Sequence, residues 1–158
     1  MKKASISTMK PTIRLAVPAD EGGVAGCVRA AFSPYIENIG KPPAPMLLDF
    51  KAVIAAGQAW VAELDGVVVG VLVQYETEEG FYIDTVAVLP AQQGRGIGRA
   101  LLEFAEGEAL RRGYHSIYLC TNVKMTANQV LYPKIGFAEY ERKFEEGYDR
   151  IFFRKKLG

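Results

Sequence analysis

The stretch Val86-Ala87-Val88-Leu89-Pro90-Ala91-Gln92-Gln93-Gly94-Arg95-Gly96-Ile97-Gly98-Arg99-Ala100-Leu101-Leu102 decides the fold. It passes from a β-type run, through a proline-stopped turn, into an amphipathic helix that carries Ile97, Ala100, Leu101 and Phe104 on one face. Gly94, Gly96 and Gly98 alternate across the turn, where glycine permits positive φ and close approach of the backbone to a ligand. Free N–H groups at a helix start, together with the helix dipole, suit phosphate oxygens. Arg95 and Arg99 add full charges beside them. The spacing is G-x-G-x-G, not the dinucleotide fingerprint, and the ribose-binding acid expected about 20 residues on falls near Tyr114 and His115. No Gly-Lys-Ser/Thr follows, so it is not a P-loop either. The turn reads as a phosphate cradle of another type.

Outward from this turn, the chain alternates strand and helix signals. Towards the N-terminus, Thr12 to Val17 reads as a strand, followed by a helix from Glu21 to Phe32 with Asp20 as N-cap and Ser33-Pro34 as its stop. Tyr35 to Pro45 reads as an irregular loop because its prolines remove donors and fix φ. A short helix is expected from Met46 to Ala56. Ala59 to Leu64 and Val67 to Tyr75 flank Asp65-Gly66, a strong signal for a type I′ hairpin. Phe81 to Leu89 is a further strand. Beyond the glycines, a helix over Ile97 to Arg112 stops at Gly113, a strand follows over Ser116 to Cys120, and then a helix over Thr126 to Ile135. Phe137 to Phe144 and Tyr148 to Leu157 pair around Glu145-Glu146-Gly147. The expectation is a mixed α/β chain forming a single domain over residues 1–158, since no repeat or long linker divides it.

Composition narrows the function. The chain has 158 residues, near the roughly 150 of one domain. Nineteen basic residues against eighteen acidic ones leave a net charge of +1, unlike a nucleic-acid coat, where basic excess supplies the affinity. His115 is the single histidine, and Cys27 and Cys120 are the two cysteines. They form no zinc-type spacing, no triad and no disulfide scaffold, so no metal is expected and free thiols in a reducing cytoplasm are. The N-terminal MKKASISTMK lacks the apolar core of a secretory signal. Val67 to Val73, the most apolar stretch, is too short to span a bilayer.

Val86 to Pro90 followed by Gln93-Gly94-Arg95-Gly96-Ile97-Gly98 resembles motif A of the GNAT superfamily of acetyl-CoA-dependent N-acetyltransferases. Leu131-Tyr132-Pro133-Lys134-Ile135-Gly136-Phe137 resembles the end of its motif B, in the right order and at a typical separation. The element order from residue 12 to 157 matches as well. The resemblance implies a mostly antiparallel central sheet with helices on both faces and a splayed strand pair holding CoA. It implies that the backbone of Val86, Ala87 and Val88 binds the pantetheine arm and polarises the thioester, while Gln93, Gly94, Arg95, Gly96, Ile97, Gly98 and Arg99 hold the pyrophosphate.

The same resemblance implies that acetyl-CoA donates to a primary amine of a small molecule or peptide by direct attack. Tyr132 would be the general acid for the CoA thiolate. Relatives place a glutamate base where this chain has Tyr82; Asp84 is the nearest carboxylate on that strand and face, with Glu76, Glu78 and Glu79 as more remote options. Asn128 shares a helical face with Tyr132 and is expected at the cofactor. Motif B departs from the common pattern in having Met125 at the usual asparagine and Pro133 inside the helix. The acceptor pocket is expected between the 33–46 loop, the turn at Glu76 to Gly80 and the Glu145 to Gly147 hairpin. A non-catalytic acyl-CoA-binding module stays open as an alternative, and either a monomer or a homodimer fits. No nucleic-acid or membrane partner is expected.

Overall fold

The computed structural model describes residues 10–158, so the expectation for residues 1–9 lies outside the described residues. The strands are β1 (Thr12–Leu15), β2 (Ala59–Leu64), β3 (Val67–Thr77), β4 (Gly80–Val88), β5 (Ser116–Asn122), β6 (Ala138–Glu145) and β7 (Tyr148–Lys156). The helices are α1 (Glu21–Phe32), α2 (Ile36–Ile39), α3 (Phe50–Ala55), α4 (Ile97–Arg111) and α5 (Thr126–Lys134). One seven-stranded sheet runs β1-β2-β3-β4-β5-β7-β6, antiparallel except between β4 and β5. The mixed, mostly antiparallel sheet with helices on both faces is as the sequence led us to expect.

Each face of the sheet has its own core. Val24, Val28 and Phe32 of α1 and Phe50 and Ile54 of α3 pack on Val61, Val71, Val73 and Ala87. On the other face, Ile97, Leu101 and Ala105 of α4 pack on Leu72, Phe81, Ile83 and Phe153. The approach of α4 to the sheet depends on Gly70. A Cβ there would lie 3.0 Å from Leu101 Cδ1, 3.1 Å from Ile97 Cγ2 and 3.2 Å from Ala62 Cβ.

The hairpin at Asp65-Gly66 has φ of 49° and 78°, the positive pair a type I′ turn requires. Other local expectations need correction. Asp20 occupies the N-cap position of α1, as expected, but its side chain makes no capping bond to the helix, because a 3-10 turn over Pro18–Asp20 runs straight into it. The Asp20 carboxylate instead accepts from the Val17 N–H at 2.8 Å and from Arg14 at 2.7 and 3.0 Å. The segment expected to be wholly irregular contains α2, closed by Gly40 at φ 89°. The helix expected from Met46 is shorter, because Leu48 is extended and the Asp49 side chain caps a new start by accepting from Ala52 N–H at 3.0 Å.

Candidate active site

The cleft forms where β4 and β5 part. They pair only from Phe81–Ile117 to Ile83–Leu119, although β4 continues to Val88 and β5 to Asn122. Beyond that point β4 has an open edge. The Leu89 N–H donates to Val69 O at 2.9 Å, which fixes the alternation along β4. Val71–Ala87 and Val73–Thr85 then face each other with their amides, whereas Val86 and Val88 turn theirs outward into the opening. Of the strand residues singled out from sequence, Val86 and Val88 therefore face the cleft with backbone groups. Ala87 bonds to β3 and buries its side chain against the α1 face. An extended, amide-bearing ligand can lie along such an edge as an added strand.

The open edge leads to the glycine turn. Gly94 and Gly96 both have φ of 81°, a conformation that an L side chain adopts with strain, and Gly96 is the N-cap of α4. The N–H groups of Gly94, Arg95 and Gly96 donate to no backbone acceptor among the described residues. Those of Ile97, Gly98 and Arg99 belong to the first turn of α4, where no intrahelical partner exists. This row of donors fits a diphosphate. Gln93 acts differently. Its N–H closes on Pro90 O at 3.3 Å and its side-chain amide donates to Val88 O at 3.2 Å, so it braces the cradle. The Ile97 side chain is core, leaving its backbone for the cleft. Arg99 lines the cleft beside Glu103 at 3.4 Å, while Arg95 turns to Gln92 Oε1 at 3.2 Å.

At the head of the split lie the titratable groups. The register of β3 on β4 slips by one, with Val73 opposite Thr85 and Gln74 opposite Ile83, which makes Asp84 an extra residue in a β-bulge. The Asp84 carboxylate lines the cleft and accepts from Tyr75 Oη at 2.7 Å and Thr85 Oγ1 at 2.7 Å. Burial, and then the bond to Asp84, push the Tyr75 phenol up, so it stays a donor at neutral pH. Tyr82 stacks on Tyr118 at 4.8 Å and meets Cys120 Sγ at 3.2 Å. Its phenol is raised by burial and cannot serve as a base.

Tyr132 comes from α5, with its ring against Phe137 and Phe153, both at 5.5 Å. Burial raises its phenol too, so it stays protonated at neutral pH. Asn128 lines the same wall and donates from Nδ2 to Thr121 Oγ1 at 3.1 Å, tying α5 to β5. Met125, at the position of the usual asparagine, is 7% exposed and packs in the core. Burial pushes the Cys27 thiol up to about 12, and the Cys120 thiol is raised by the same cause. Neither is a ready nucleophile, because the thiolate is the reactive form.

Strand edge, cradle and titratable groups share one cleft of about 1250 Å³. That exceeds the roughly 300–1,000 Å³ of most small-ligand pockets, so it has space for two ligands end to end. The cleft is also lined by the segment after α1, the turn between β3 and β4 and the β6–β7 hairpin. It carries Glu78, Glu79, Glu145 and Glu146 against Lys143 and Arg150. Arg150 is already paired with Glu145 at 3.0 Å and Glu146 at 3.7 Å. No group of His, Cys, Asp and Glu among the described residues could hold a metal, and no helix among them is long and apolar enough to cross a membrane.

Sequence reasoning missed Tyr75, Thr85 and the Tyr82–Cys120 contact. Strand alternation put Asp84 and Tyr82 on one face, but nothing in the sequence announces the one-residue slip that brings Tyr75 onto Asp84.

Comparison with known proteins agrees with this geometry. The sequence profile of the acetyltransferase (GNAT) family matches residues 24–137. An IAA acetyltransferase of Azospirillum brasilense is 38% identical over 81 residues, covering 50% of this chain and 53% of that protein. A mycothiol acetyltransferase of Jonesia denitrificans is 40% identical over 57 residues, covering 36% of this chain and 18% of that protein. The chain thus spans about half, or less, of the length of these relatives. Among solved structures, the PaiA N-acetyltransferase of Thermoplasma acidophilum in complex with coenzyme A superposes with a TM-score of 0.77 at 18% identity, covering 94% of this chain and 100% of that one.

Proposed function

The chain belongs to the GNAT acetyltransferase family, and from that premise we propose that it moves an acetyl group from acetyl-CoA to a primary amine by direct attack. The observation that carries this is the open edge of β4 running into the glycine cradle, with Tyr132 and Asp84 lining the same cleft. Acetyl-CoA supplies the thioester. The outward amides of Val86 and Val88 hold its pantetheine arm and polarise the carbonyl, a type of donor worth about 2.7–4 kcal/mol elsewhere. The cradle from Gly94 to Arg99 holds the diphosphate, with Gln93 bracing it from behind.

The amine nitrogen forms the new C–N bond as the C–S bond breaks. Asp84 takes one proton from the ammonium, directly or through one water, Tyr132 gives its proton to the departing thiolate, and the second amine proton, shed as the amide forms, restores the Tyr132 phenol. Lysine-like amines have a pKa near 10.4, so a base is needed to free the attacking lone pair. The raised thiols of Cys27 and Cys120 argue against an acetylated enzyme. We read residues 1–158 as one such domain, acting in the cytoplasm as a monomer or homodimer.

Release of free thiol from acetyl-CoA across a panel of amines tests this. The expected result is amine-dependent release with a matching amount of acetylated amine. CoA binding with no release from any amine would favour a non-catalytic CoA-binding module instead.

A further inference from the structure

The segment over residues 36–48 touches the β6–β7 hairpin directly, although they lie far apart in sequence. Lys41 Nζ donates to Gly147 O at 2.5 Å and sits 4.1 Å from the centre of the Tyr148 ring. Tyr148 Oη donates to Pro42 O at 2.5 Å, and Tyr148 is only 8% exposed. Asn38 Nδ2 donates to Lys124 O at 3.2 Å, which pins the same segment to the turn between β5 and α5. Gly147 has φ of 83°, and a Cβ there would stand 2.6 Å from Lys41 Nζ, so a side chain would push the ammonium off. Behind these contacts, Pro43 and Leu48 form one wall of the cleft and Glu145 and Tyr148 another.

We propose that these contacts latch residues 36–48 to the hairpin as a fixed roof over the acceptor end, and that the roof restricts the acceptor to a small free amine, excluding a polypeptide. An extended polypeptide passing between roof and hairpin would need about 4.7–4.9 Å of clear space to the backbone on either side. The Lys41 and Tyr148 side chains cross that gap and bond to the opposite backbone at 2.5 Å, so they fill the space such a segment would take. Lys41 and Tyr148 are then specificity-determining residues that need not touch the reacting atoms. The inference rests on the acetyl transfer proposed above, since it names the class of acceptor for that reaction.

The test compares wild type with the double variant Lys41→Met, Tyr148→Phe. Acceptors are tyramine, spermidine and a short unstructured peptide with a free N-terminus and an internal lysine. Wild type should favour the better small amine over the peptide by about a hundredfold or more in kcat/KM, a ratio that a steric barrier can supply. The double variant should narrow that ratio by about tenfold, with KM for acetyl-CoA unchanged. Amide exchange across residues 36–48 should quicken in the double variant while that of β2 and β3 stays the same. A wild type that acetylates the peptide as well as the small amines overturns the proposal. So does unchanged exchange across residues 36–48. Absence of turnover with every amine counts against acetyl transfer itself, and the exchange comparison then still decides the latch.

Discussion

At the scale of single residues, the proposed mechanism turns on two side chains with opposite requirements. As the proposed acid, Tyr132 has to keep its proton until the thiolate departs, and burial against Phe137 and Phe153 raises its phenol accordingly. Replacing it by Phe keeps the packing and removes the proton. Tyr132→Phe should lower kcat by about 10²-fold, the lower end for general acids, with little change in KM for acetyl-CoA; steady-state kinetics with saturating amine reads both. As the proposed base, Asp84 has to accept a proton, and the hydroxyls of Tyr75 and Thr85 fix the orientation of its carboxylate. Asp84→Asn should lower kcat/KM for a lysine-like amine much more than for an amine of lower pKa. Equal losses for the two amines would show that Asp84 is not the base. Tyr75→Phe removes one of the two hydroxyls that hold the Asp84 carboxylate in place, so kcat/KM for a lysine-like amine should fall while KM for acetyl-CoA stays the same. An unchanged kcat/KM would show that Tyr75 does not orient the carboxylate.

At the scale of elements, two glycines answer different needs. Gly96 caps α4 at φ 81°, where an alanine costs about 1–2 kcal/mol. Gly96→Ala should disturb the cradle and raise KM for acetyl-CoA about fivefold or more, with KM for the amine unaffected. Gly70 stands under α4, where Leu101, Ile97 and Ala62 leave no space. Gly70→Val should destabilise the fold by about 1–3 kcal/mol, measured by chemical denaturation, as overpacking does. Elements governed by local rules were legible in the sequence. The periodic face of α4, the Asp65-Gly66 turn and the glycine cradle each follow from near neighbours. The segment from Tyr35 to Ala56 was not. Its course depends on Asp49 capping a late helix start and on contacts with Gly147 and Tyr148, far away in sequence. The bulge at Asp84 was hidden for a related reason, since register is a property of two strands.

At the scale of the whole molecule, a net charge of +1 coexists with a site for a polyanionic ligand because backbone amides, more than side chains, form the cradle. Charge has a structural use elsewhere. Arg14 bridges Asp20 at 2.7 Å and Glu63 at 2.8 Å, joining the start of α1 to β1 and β2. The guanidinium holds the Asp20 carboxyl below its ordinary value of 3.8. A carboxyl lowered on folding stabilises the fold at neutral pH and loses that contribution as pH falls through its folded value. Arg14→Ala should therefore lower stability at pH 7 by about 1 kcal/mol or less, as for partly exposed pairs. Thermal melts of wild type and variant should converge in acid, and a gap that persists there would contradict this.

Direct transfer requires both ligands in the cleft at once. Initial rates of thiol release measured over a matrix of acetyl-CoA and amine concentrations test that most directly. The account predicts reciprocal plots that intersect, from a complex holding both substrates. Parallel lines, the pattern of an acetylated enzyme formed before the amine binds, would contradict it.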